Sequence, residues 1–117
     1  LGLGVQWRFN TPAAVTGTPA VVGNMVFDGD YAGNFYALRD TPFGVIQVWH
    51  GNVGAPIADS PLVLRLPSGK SEVIFGDLAG NVWGLDAADG AVNWTVHPNS
   101  TNAGMVIYGL ILVMHKS

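Results

Sequence analysis

The chain has 117 residues, 49% of them hydrophobic and 11% charged, which excludes the disorder that comes with low hydrophobicity and high charge. A net charge of −3 with five scattered Lys and Arg residues gives no basic patch, so no nucleic-acid partner is expected. The absence of cysteine removes disulfides, thiolate metal sites and a cysteine nucleophile.

Taken in order, LGLGVQWRFN (residues 1–10) lacks a basic start followed by an apolar core and is not read as a signal peptide. It reads as the last strand of a unit, closed by Trp7. Four short apolar runs bounded by Gly, Asn, Asp and Pro follow: Thr18–Val22, Met25–Gly29, Asn34–Arg39 and Val45–His50. Four more stand at Ser60–Arg65, Glu72–Gly76, Asn81–Asp86 and Ala91–Val96. No segment sustains the i, i+3, i+4, i+7 pattern of a helix. The terminal run AGMVIYGLILVM is too short for the roughly 20 residues of a membrane helix and is broken by Gly109, so residues 103–117 read as two strands that open a further unit.

The runs repeat. Gly29-Asp30-Tyr31-Ala32-Gly33-Asn34-Phe35-Tyr36-Ala37-Leu38 aligns without gaps on Gly76-Asp77-Leu78-Ala79-Gly80-Asn81-Val82-Trp83-Gly84-Leu85, 47 positions on. Thr18-Pro19 corresponds to Ser60-Pro61, and Trp49 and Trp94 close the two full copies. Four antiparallel strands per unit of about 40–45 residues is the pattern of a β-propeller blade. The expected fold is therefore all-β: about two and a half four-stranded antiparallel blades, with full units at 18–50 and 60–97. Because both ends fall mid-unit, the chain is expected to be a segment of a larger propeller whose remaining blades are its first partners.

Within each unit, Asp30 and Asp77 are expected to accept backbone N–H bonds, with Gly33 and Gly80 at positive φ. Gly23-Asn24 reads as a compact hairpin turn, replaced in the second unit by the longer Leu66-Pro67-Ser68-Gly69-Lys70. Trp49 and Trp94, on outer strands, are large enough to span between adjacent blades, so that Trp94→Ala is expected to loosen one blade contact.

The run Gly76 to Trp94 resembles the repeat of quinoprotein-type (pyrroloquinoline-quinone repeat) β-propellers. Leu85, Asp86, Ala87, Gly90 and Trp94 resemble that family's tryptophan-docking motif, with Asp89 where the family usually has Thr. The first unit departs from it: Arg39 replaces the Asp, the turn through Thr41-Pro42-Phe43-Gly44 reads as longer than usual, and Trp49 lies one residue further from its glycine. The resemblance implies an extracytoplasmic protein, periplasmic or extracellular. It further implies either part of a dehydrogenase that holds pyrroloquinoline quinone and calcium and oxidises an alcohol or polyol, or a non-enzymatic scaffold for protein partners like the lipoprotein of the outer-membrane barrel-assembly machinery.

Asp28-Gly29-Asp30 superficially matches the start of a calcium loop, but Ala32 and Arg39 stand where further oxygen ligands belong, so it is read as structural. Asp86 and Asp89 bracket a turn before Gly90 and are read as turn residues, not as an acid–base pair. His50, His97 and His115 lack zinc-site spacing and read as rim or surface residues. Asn93 and Asn99 begin glycosylation sequons, relevant only in a eukaryotic secretory context. In propellers of this kind the first strand of each blade lines the axial channel, so Thr18, Asp59 and Ser60 are the candidates to meet a channel ligand. The alternative, that they only cap strand starts and turns, stays open.

Overall fold

The computed structural model describes residues 11, 13–15 and 17–97. The readings made for Trp7, residues 1–10, residues 103–117, His115 and Asn99 lie outside them. The described residues form eight strands in two antiparallel four-stranded sheets, β1-β2-β3-β4 and β5-β6-β7-β8, each a meander of sequential neighbours. The first sheet comprises β1 (Ala20–Val22), β2 (Met25–Gly29), β3 (Asn34–Thr41) and β4 (Gly44–Asn52). The second comprises β5 (Leu62–Arg65), β6 (Ser71–Gly76), β7 (Val82–Asp86) and β8 (Val92–Val96). The chain is all-β, and the two sheets are successive blades of a partial β-propeller.

The first strand of each blade starts later than expected, at Ala20 and Leu62. Pro19 and Pro61 have no N–H to give the ladder, so pairing begins just after them. The β3–β4 connection also differs from expectation. Thr41 pairs with Gly44, leaving only Pro42-Phe43 as the turn, with Gly44 at φ +124°. The hairpin is longer because its strands are longer, eight and nine residues against five and five in β7 and β8. The β7–β8 turn is the roomier of the two, closed by Gly90 N–H to Asp86 O at 2.8 Å.

The core lies between the sheets. Phe27, Phe35 and Ala37 of the first blade meet Val73, Phe75 and Leu85 of the second, with Ile57 from the connecting loop among them. Phe35 and Phe75 stack across the interface at 4.2 Å, 5° from parallel. Each aromatic burial contributes about 1.5–3 kcal/mol. Gly29 faces Ile57 so closely that a Cβ there would stand 2.6 Å from Ile57 Cγ2, which explains a glycine inside a strand. The loop from β4 to β5 is stitched to both blades: Ile57 N–H donates to Asp30 O at 3.0 Å, and Leu78 N–H to Pro56 O at 2.8 Å. Tyr31 N–H to Ala14 O, 2.8 Å, repeats the latter contact one unit earlier.

Candidate functional site

The repeated acid, Asp30 or Asp77, organises the turn between the second and third strands of its blade. Asp30 Oδ1 accepts from the N–H of Ala32 (3.0 Å) and Asn34 (2.9 Å), and Oδ2 from Asn34 Nδ2 (3.0 Å) and the Tyr36 hydroxyl (3.1 Å). Asp77 Oδ1 takes the N–H of Ala79 (2.9 Å) and Asn81 (3.0 Å), and its Oδ2 the indole N–H of Trp83 at 2.9 Å. Tyr36 and Trp83 occupy the same place because each carries a donor on an aromatic body, one O–H and the other N–H. Burial, then the Asp30 carboxylate beside it, push the Tyr36 hydroxyl up to about 12. Gly33 and Gly80 close the two turns at φ +88° and +91°. Gly33 also sits where a Cβ would be 2.9 Å from Ala55 O.

The histidines extend these networks, a link the sequence reading missed. His50 Nε2 lies 3.0 Å from Asn34 Oδ1, which also accepts from Asn52 Nδ2, and the His50 ring stacks on Tyr36. His97 Nδ1 lies 2.9 Å from Asn81 Oδ1. Asp, Asn and His therefore form one chain per blade. The signal was present: all three recur 47 positions apart. The strand positions nevertheless differ. His50 stands opposite Tyr36, while His97 follows Val96, the partner of Val82, and so takes the place of Asn52.

Asp28 and Asp30 do not act together as ligands. With four donors Asp30 has its lone-pair sites filled, and Asp28 accepts from Gly29 N–H at 2.9 Å. Burial pushes the half-buried Asp28 carboxyl from 3.8 up to about 6, the Gly29 bond opposing it. The folded chain therefore binds more protons than the unfolded one between those values, and stability falls as pH rises through that window. Asp28→Asn is expected to flatten this fall. Melts at pH 7 should show a gain on the order of 1 kcal/mol, after allowance for solvent screening, and melts near pH 4 almost none.

Asp86 Oδ1 caps Ala88 N–H at 2.8 Å, Asp89 Oδ1 caps Ala91 N–H at 2.9 Å, and Gly90 has φ +79°. These are turn bonds, and Asp86 also lies 4.0 Å from Lys70 Nζ. Trp49 donates its indole N–H to Ala87 O of the next blade at 2.9 Å and lies against Gly90, where a Cβ would come within 2.5 Å of its ring. Trp94 lies over Gly84 and donates to Glu72 Oε1 at 3.0 Å, while Asn93 Nδ2 gives Glu72 Oε2 a second bond at 2.8 Å; the blade it is expected to meet lies outside the described residues. Each tryptophan follows a bulge, at Val48 and Asn93, that re-aims the strand. Glu72 is 2% exposed and stands where the first blade has Met25, so the repeat gave no hint of it.

Of the three channel candidates, Thr18 and Ser60 are brought together. Thr18 N–H donates to Ser60 Oγ at 2.8 Å where the first strands of the two blades approach, and Asp59 beside them is exposed. Among the described residues no three His, Asp or Glu side chains gather to hold a metal. The Asp30 and Asp77 carboxylates are taken up by hydrogen bonds within their own blades. Among the described residues no helix is long and apolar enough to cross a membrane.

Fold and repeat together define two adjacent blades of a β-propeller among the described residues. The chain is 32% identical over 95 residues to a polyvinylalcohol dehydrogenase of Pseudomonas sp and 30% identical over 95 residues to one of Sphingopyxis sp. (strain 113P3). Each match takes in 79% of the chain, which spans only 15% and 14% of those relatives. Among solved structures, BamB from Moraxella catarrhalis superposes with a TM-score of 0.66 at 20% identity, over 83% of this chain and 28% of that one, a likeness of fold. No family model matches the chain.

Proposed function

We propose that this chain supplies two adjacent blades of an extracytoplasmic, quinone-dependent oxidoreductase acting on an alcohol or polyol, and that its own part is architectural. The similarity to polyvinylalcohol dehydrogenases across both blades carries the reading. It is supported by how the polar residues are spent: Asp30, Asp77, Asp86 and Asp89 all close turns, and Trp49 joins the blades. Pyrroloquinoline quinone and calcium would be held by residues other than those described here. Thr18, Asp59 and Ser60, at the meeting of the first strands, are the side chains of this segment best placed to line the axial channel. The test is calorimetric titration of the full-length protein with pyrroloquinoline quinone plus calcium. Saturable binding is expected, and its absence would overturn the reading.

One observation favours a second reading, a scaffold for a protein partner. Phe43, at the tip of the extended β3–β4 hairpin, is 100% exposed, and large exposed aromatics are typical anchors of interfaces. Failure of the quinone titration, with Phe43→Ser abolishing capture of a partner, would favour this alternative.

A further inference from the structure

Between the two blades, at the end where β1 turns into β2, lies a cleft of about 550 Å³, within the range of small-molecule pockets. Its apolar walls include Val22, Met25 and Val48 from the first blade and Val63 from the second, and its rim carries Arg39 and Lys70 together with Asp86 and Asp89. The places where the two units stop resembling one another converge on it. Met25 and Arg39 are register partners, and the same two positions in the second blade are the acids Glu72 and Asp86. A buried acid has become apolar, and a turn acid has become a cation. Lys70 belongs to the loop that replaces Gly23-Asn24.

The fold does not require these departures. In the first blade Thr41 takes over the capping that Asp86 performs in the second, accepting Phe43 N–H at 3.2 Å, so Arg39 has no turn to hold. The charges at the rim are unequally answered. Lys70 faces Asp86 at 4.0 Å, while Asp89 is exposed and keeps its charge, one oxygen accepting Ala91 N–H at 2.9 Å. Among the described residues Arg39 has no carboxylate within ion-pair distance. A guanidinium offers a planar fork matched to a carboxylate.

We infer that this cleft, apart from any axial site and independent of the quinoprotein reading, binds a small apolar monocarboxylate. Its hydrocarbon part lies along the Val22, Met25, Val48 and Val63 walls and its carboxylate on Arg39. The probe is decanoate, titrated calorimetrically into the full chain beside its neutral analogue decanamide, with folding of every variant checked by circular-dichroism melting. Decanoate is expected to bind saturably, and decanamide roughly tenfold or more weaker. Arg39→Met should bring decanoate down to the level of decanamide. Ala88→Trp, an exposed position at the cleft, should abolish binding of both by filling it. Equal affinity for the two probes, unchanged decanoate binding in either variant, or no saturable binding to the folded chain would overturn the inference.

Discussion

Trp49→Ala is expected to cost about 3–5 kcal/mol, the usual range for truncating a large packed aromatic. The ring touches both blades at once. It packs on Phe35 at 5.8 Å and Phe27 at 6.3 Å in its own sheet, and it covers Gly90 and donates to Ala87 O in the next. Truncation opens a void beside the Phe35–Phe75 stack and leaves the Ala87 carbonyl without its indole donor. Trp49→Phe separates the two contributions, because it keeps most of the apolar contact and loses only the hydrogen bond, for about 1 kcal/mol. Urea denaturation of the three proteins checks this. A Trp49→Ala midpoint equal to that of the parent would mean that the blades are held together elsewhere. Gly90→Ala approaches the same contact from the other side, since a Cβ at φ +79° would be strained and 2.5 Å from the indole ring.

The second large effect is expected at Asp30. Asp30→Ala leaves four donors without their acceptor at a site with 0% exposure: two backbone N–H groups, the Asn34 amide and the Tyr36 hydroxyl. A buried donor left unpaired costs about 1–3 kcal/mol, and hydrogen bonds to a charged acceptor are the stronger kind. A total on the order of 4 kcal/mol is therefore expected. Asp77→Ala should cost less. The Asn81 amide sits at 3.3–3.4 Å from Asp77, against 3.0 Å for Asn34 on Asp30, and the site is slightly more open. Thermal melting of the two alanine variants side by side checks the order, and a larger loss at Asp77 would contradict the account. Loss at Asp30 should also reach Ile57, whose N–H donates to the Asp30 carbonyl and whose side chain fills the space over Gly29.

Much of this was legible because a repeat states each local rule twice. Asp30 and Asp77, each followed by Gly and Asn at matched positions, specify the same turn through short-range bonds that depend only on nearby chain. The strands of both blades were readable from apolar runs between turn residues, and Pro19 and Pro61 erred only at the ends. The histidine links were legible in principle, yet His50 and His97 reach their asparagines from different strand positions. The two extra residues of the β3–β4 hairpin put the two fourth strands out of step with a simple 47-residue shift. Glu72 was not legible, because a single acid in an apolar run declares no partner until β8 is laid beside β7.

The sequence by itself determined the units: eight short strands, their turns, and the acids and glycines that close them, because these rest on contacts within a few residues. Where Trp49 lands on the next blade, what Glu72 holds, and how Met25 and Arg39 come to line one cleft with Lys70 were decided only by the tertiary structure. Those contacts link residues 20 to 45 positions apart, and their geometry depends on a bulge, a strand length and a crossing between sheets. Trp49 shows the difference most clearly. Its motif is the less regular of the two, yet the longer β3–β4 hairpin still carries its ring onto Ala87 and Gly90.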